Sequence, residues 1–134
     1  MDQTILIDTD ILIDFGRDRS DAVNTIVLLE SDFQLSTSVI TAMELYSGCR
    51  SKKDLNRVDE LISGISIQHV TKRISEKAFD LMKKYRSSHG VEINDMLIAA
   101  TAIETESKLI SKNQKHYQFL QGLDLIEYPL INKD

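Results

Sequence analysis

Asp8, Glu44, Asp95 and Asn113 are the side chains whose types could do chemistry together. Three are acids, and His69, His89 and His116 are scattered without metal-ligand spacing. Carboxylates brought together repel, and each desolvated like charge raises its neighbours' pKa. A site that keeps several close is stable when a cation sits among them. Hard oxygen donors without nitrogen or sulfur suit Mg²⁺ or Mn²⁺. One or two such ions can activate water and stabilise the leaving oxygen of a phosphodiester, with two ions ~4 Å apart where both are present.

Such chemistry needs elements that carry the four residues to one place. Thr4 to Ile7 is a short apolar run that reads as a buried strand ending at Asp8. Ala22, Val23, Ile26, Val27 and Leu29 keep helical spacing. Phe33 to Leu35 is a second strand candidate, followed by a helix over Val39 to Tyr46 that Gly48 suits as a C-terminal cap. Leu55, Val58, Leu61 and Ile62 mark a helix closed by Gly64, and Ile65 to Ile67 a third strand. Ser75 is expected to cap a long helix carrying Ala78, Leu81, Met82 and Tyr85 on one stripe. Asn94 is expected to cap the next helix, which runs to about Thr105 and is buried because it is apolar almost all round. Leu109-Ile110 and Leu125-Ile126 complete the strands.

Strands separated by helices require crossovers, and crossovers give an α/β fold with a parallel sheet between helices. The 134 residues fit one domain over 1–134. In this architecture ligands gather beyond the carboxyl ends of the strands. Asp8 ends the first strand there. Glu44 is placed in the first half of the helix after the second strand, which starts at that edge. Asp95 opens the helix that runs back to the fourth strand, and Asn113 follows that strand. All four are expected on one edge, with the helix starts at Glu44 and Asp95 offering partial positive charge to a phosphate.

Each residue also has a plainer explanation. Asp8 can cap a helix beginning at Thr9. Thr41 and Glu44 have the spacing of a capping box. Asp95 in a first turn complements the helix macrodipole. Capping does not explain why three acids should meet on one edge.

Leu6-Ile7-Asp8-Thr9-Asp10-Ile11-Leu12-Ile13, Thr41-Ala42-Met43-Glu44-Leu45-Tyr46-Ser47-Gly48, Asn94-Asp95-Met96-Leu97-Ile98-Ala99-Ala100-Thr101-Ala102 and Leu109-Ile110-Ser111-Lys112-Asn113, with Tyr117 beyond, follow one another along nearly the whole chain. Their order and spacing resemble the four motifs of PIN-domain nucleases, especially the VapC-type toxins of bacterial and archaeal toxin–antitoxin pairs. The resemblance implies a single-domain three-layer α/β/α sandwich and Mg²⁺- or Mn²⁺-dependent cleavage of RNA. It also implies a homodimer, and a cognate VapB-type antitoxin whose tail occupies the active site. By position, Asp8, Glu44 and Asp95 would hold metal. Many members carry an acid where this chain has Asn113; a neutral amide is a weaker ligand, which leaves the number of ions open. Ser111 matches the family's usual hydroxyl residue and would orient water or a neighbouring carboxylate. Thr9 and Asp10 would support the site, Asp10 standing where members often carry Asn.

The net charge of −5 and the pI near 5.2 are not what nucleic-acid binding usually looks like. Any phosphate contact must come from local bases, for which Arg17, Arg19, Lys112 and Lys115 are placed on the active edge. Lys52-Lys53, Lys72-Arg73 and Lys83-Lys84 read as solvated helix faces. Cys49 is the one cysteine, which excludes an internal disulfide and fits a reducing, cytoplasmic setting. No apolar run is long enough to cross a bilayer, and Met1-Asp2 do not open a secretory signal. Tyr46 and Tyr85 fit packed helical faces, Tyr117 could stack on a base, and His116 reads as a surface residue. Two other functions compete. Asp8-Thr9-Asp10 after a strand also resembles the nucleophile motif of haloacid-dehalogenase-type phosphatases, but Asp124 lies too late for that chemistry and Glu44 would have no role. The other is a catalytically inactive PIN fold that only binds a partner.

Overall fold

The computed structural model describes residues 3–131. The reading of Met1-Asp2, and the outer ends of the domain expected over 1–134, lie outside them. Strand β1 (Thr4–Ile7) is the centre of the molecule. Its residues alternate between faces, as a pleated strand must. Leu6 packs with Ile74, Ala78 and Leu81 of α5 (Lys72–His89) and with Met96 and Ala99 of α6 (Ile93–Glu104). Ile5 and Ile7 point the other way, onto Ile11 and Leu12 of α1 (Thr9–Gly16) and Ala22, Ile26 and Leu29 of α2 (Ser20–Asp32). Helices therefore cover both faces, giving the expected three layers.

The sheet order is β3-β2-β1-β4-β5, with β2 spanning Gln34–Ser38, β3 Ser66–Gln68, β4 Lys108–Ile110 and β5 Leu125–Ile126, and every pairing is parallel. The chain builds outward from β1 through β2 to β3, then returns to place β4 on β1's other side. The direction of winding thus reverses between β1 and β4, where such sheets open a crevice for ligands. In register, Ile7 pairs with Ile110, so Asp8 and Ser111 leave the sheet side by side. Asp8 N continues the ladder with a hydrogen bond to Ile110 O at 3.0 Å.

The remaining helices are α3 (Val39–Ser47), α4 (Lys52–Ile62) and the short α7 (Gln114–Tyr117). Several boundaries differ from the sequence expectation for identifiable reasons. β2 runs on through Ser36, Thr37 and Ser38, all fully buried. Their polarity hid the strand, but the Ser36 and Thr37 hydroxyls donate to Ile5 O and Ile7 O at 2.9 and 2.7 Å. α5 starts before Ser75, because Thr71 takes the capping role and accepts from Ile74 N. α6 begins at Ile93, so Asn94 lies inside the helix and Glu92 precedes it without a side-chain cap. α3 is capped by Ser38, not by a Thr41–Glu44 box. Glu44 is the sixth of nine residues in α3, so the helix start does not lend it positive potential. Val27 is 60% exposed, off the face that the other α2 residues bury.

Leu109 is fully buried in the core beneath α5 and α6. Leu109→Ala should therefore cost about 2–5 kcal/mol, read as a lower urea midpoint at unchanged slope.

Candidate active site

Asp8 is both the residue after β1 and the N-cap of α1. It is buried, and its two carboxylate oxygens are separately fixed. Oδ1 accepts from Thr9 N at 2.8 Å, and Oδ2 accepts from Ser111 Oγ at 2.7 Å. Ser111 Oγ in turn accepts from Asn113 N at 2.9 Å, so the turn after β4 is tied to the acid after β1. Burial pushes the Asp8 carboxyl above the usual carboxylate range; the Ser111 and Thr9 hydrogen bonds pull it back, and the charges of Asp95 and Asp10 push it further up. The charges acting on this desolvated acid are both negative.

Asp95 stands in the first turn of α6. Tyr117 Oη donates to its Oδ1 at 3.1 Å, and His116 Nδ1 lies 3.0 Å from its Oδ2. Tyr117 is buried between Asp8 and Asp95, and burial with those two charges holds its phenol far above the ordinary value. It is a permanent donor. On the opposite side, Thr9 Oγ1 donates to Glu44 Oε1 at 2.8 Å and lies 3.1 Å from Thr41 Oγ1. Asn113 does not turn toward Asp8. Its Nδ2 donates to Asp10 Oδ2 at 3.0 Å.

The topology thus brings Asp8, Asp10, Asp95, Ser111 and Asn113 together, and Glu44 joins through Thr9. Among the described residues, no three His, Cys, Asp or Glu side chains lie together as a preformed metal cage. Thr9 engages one oxygen of Glu44, and Tyr117 and His116 engage Asp95. Mg²⁺ does not require such a cage, because it keeps several waters and takes one or two carboxylates. A buried acid under purely negative influence, with a second acid facing it across Tyr117, fits that demand in donor type and in charge.

The four bases divide into two groups. Arg17, Arg19 and Lys112 gather round Asp14 and line a cleft of about 520 Å³ with Asp18, Asp21 and Tyr128. Lys112 Nζ is 2.6 Å from Asp14 Oδ2, and Arg19 Nε 3.9 Å from Oδ1. The Lys112 hydrogen bond holds the Asp14 carboxyl below the usual range. Lys115 lies elsewhere, on a cavity of about 210 Å³ that Asp95 and His116 also line. Sequence reasoning missed Asp14, whose position one turn after Asp10 on α1 was the available signal. His116 is exposed, as expected, and its contact with Asp95 was not foreseen; Tyr117, read as a base-stacking residue, is buried on Asp95.

Residues 5–119 match the family model of the PIN domain. Ribonuclease VapC10 of Mycobacterium tuberculosis is 33% identical over 120 residues, covering 89% of this chain and 90% of that protein. Ribonuclease VapC19 of the same organism is 32% identical over 120 residues, covering 88% and 95%. Among solved structures, VapBC2 from Rickettsia felis bound to a DNA fragment from its promoter superposes with a TM-score of 0.81 at 22% identity, covering 92% of this chain and 98% of that one, a likeness in fold. A match from Ile5 to Phe119 and relatives aligned over most of their length have one reading: the chain belongs to the PIN-domain family.

Proposed function

We propose that this PIN-domain chain is a metal-dependent endoribonuclease, the toxin of a toxin–antitoxin pair, acting in the cytoplasm. The observation that carries the reading is Asp8, a buried carboxylate fixed through both oxygens and pressed only by negative charge. The relatives named as ribonucleases supply the reaction class. Asp8 and Asp95 would hold Mg²⁺ or Mn²⁺, with Glu44 beside them. When bound, the ion activates water and stabilises charge on the phosphate. The chain's own residues do the rest. Ser111 and Thr9 hold Asp8 in one orientation. Tyr117 orients Asp95 by donating to one of its oxygens. Thr9 fixes Oε1 of Glu44 beside them.

Asn113 and Asp10 read as an exchanged pair. The acid expected after β4 stands instead on α1, hydrogen-bonded to the amide that took its place. The pair keeps one negative charge at that spot, so Asp10 supplies the fourth carboxylate.

RNA would lie along the edge between the two basic groups, Arg17, Arg19 and Lys112 on one side and Lys115 on the other. Asp14 competes with phosphate for Lys112. Asp14→Asn should tighten RNA binding several-fold at low salt, and the gain should vanish as salt rises. Its stability cost should stay below about 1 kcal/mol, as for exposed pairs. That contribution is present above the ordinary carboxylate pKa of 3.8 and lost as pH falls through the depressed folded value. Fluorescence anisotropy over a salt series, with thermal melts over pH, reads both.

The antitoxin's tail would follow the groove between α1, α3 and α4, where Leu12, Phe15, Leu45, Val58 and Leu61 lead to Glu44. The family resemblance supports a homodimer. The test is incubation of the antitoxin-free chain with labelled single-stranded and structured RNAs in Mg²⁺, Mn²⁺ or EDTA. Cleavage that needs metal supports the reading. Its absence across a broad panel, with the chain folded and metal present, favours the partner-binding alternative.

A further inference from the structure

The last residue of α5, His89, stacks on Phe119 with ring centroids 3.9 Å apart and planes 11° from parallel. Tyr85 meets both rings edge-on, at 5.7 and 5.2 Å. The end of α5 that carries His89 is rigidly held: Gly90 takes the left-handed conformation, φ 63°, and Arg86 Nη1 donates to Gly90 O and Val91 O at 3.2 and 2.8 Å. Phe119 covers one face of the His89 ring, while the residue as a whole is exposed.

A plainer role accounts for part of this. A histidine in the last helical turn complements the macrodipole, and Phe119 packs on the core through Tyr85. Neither explains where the stack stands. His89 and Phe119 line the same 210 Å³ cavity as Asp95, Lys115 and His116. One wall is therefore aromatic, another is basic, and two acids, Asp95 of the reacting centre and Glu92, complete the lining. A nucleotide offers the matching parts: a flat base and a phosphate.

We propose that this cavity is a subsite for one unpaired base of the RNA, next to the bond that is cut. The base extends the Phe119–His89 stack, and Lys115 meets the adjoining phosphate. A rigid aromatic platform accepts any base by its π-face, and a base can reach it only from a single strand or a loop. The subsite rests on the ribonuclease reading and adds a preference for unpaired RNA.

The test uses the uncleaving Asp95→Asn chain with Mg²⁺ and a short labelled single-stranded RNA. A second oligomer of the same length has abasic sugars throughout. His89→Ala should weaken binding of the base-containing RNA by about 5- to 100-fold, the range of one lost stacking contact. It should leave the abasic oligomer unchanged, and His89→Trp should restore affinity. Equal loss on both oligomers would overturn the subsite, since it would show a charge or folding effect; so would no loss on either. If the wild-type chain still cleaves RNA in those cases, only the subsite falls. If it neither binds nor cleaves RNA, the ribonuclease reading falls with it.

Discussion

Asp95→Asn is expected to lose RNA cleavage by more than about a hundredfold while the fold stands. Removing a partner that merely supports a metal ligand costs about 10–100-fold, and removing a ligand costs more. The substitution is isosteric, and its Oδ1 can still accept from Tyr117. It also removes one of the two negative charges that act on Asp8. In EDTA the variant should melt no lower than the wild-type chain, and increasingly higher as pH rises above the ordinary carboxylate value. The sign follows from linkage. Asp8 has a folded pKa above its ordinary value of 3.8, so below that value it is protonated in both states and costs nothing. As pH rises, the unfolded chain ionises first and native stability declines until the folded pKa is passed. Asp95→Asn lessens that decline, so its advantage grows as pH rises from the ordinary carboxylate value through the folded one, and disappears in acid. Cleavage assays with thermal melts at pH 3 to 7 check both parts. A variant that fails to fold would make Asp95 a structural residue.

Exchanging Asp10 and Asn113 is expected to restore what either single change removes. Asp10→Asn should cut cleavage about 10–100-fold, as loss of a supporting acid does. Asn113→Asp adds a carboxylate where Nδ2 now lies 3.0 Å from Asp10 Oδ2, which places like charges in contact. It should destabilise the metal-free chain and raise its demand for metal. The double variant has one acid and one amide again, with the roles reversed. Its activity should return to within a few-fold of wild type, a coupling that two independent residues cannot give. Rates and metal titrations of the four chains form the cycle. Additive losses would mean that Asp10 only complements the dipole in the first turn of α1.

Much of the site was legible because its geometry follows from strand order. Once Thr4–Ile7 and Leu109-Ile110 are read as parallel strands, Asp8 and Ser111 must leave the sheet together, as they do. The turn of α6 at Asp95 follows from its apolar run. Two kinds of feature were not legible. Ser36, Thr37 and Ser38 break the apolar pattern that marks a buried strand, and only the structure shows the first two hydroxyls donating to Ile5 O and Ile7 O and the third accepting from Ile40 N. Side-chain pairings across the sheet edge are equally silent. Nothing in the spacing of Asp10 and Asn113, or of Tyr117, His116 and Asp95, says which acid meets which donor, because those contacts depend on rotamers and on short turns. The cap positions failed for a related reason. Ser75, Asn94 and Thr41 are good capping types, but Thr71 and Ser38 hold the residues where the backbone turns.

In the proposed function the Asp8 edge places a divalent ion on the scissile phosphate. It is tested most directly on an RNA whose cleaved bond has been mapped, with one non-bridging oxygen there replaced by sulfur. Hard Mg²⁺ binds sulfur poorly, and a softer ion such as Mn²⁺ tolerates it. Slow cleavage of one sulfur isomer in Mg²⁺, recovery in Mn²⁺, and no recovery with Asp95→Asn are expected. Cleavage of both isomers at the rate of unmodified RNA in Mg²⁺, or in EDTA, would contradict it.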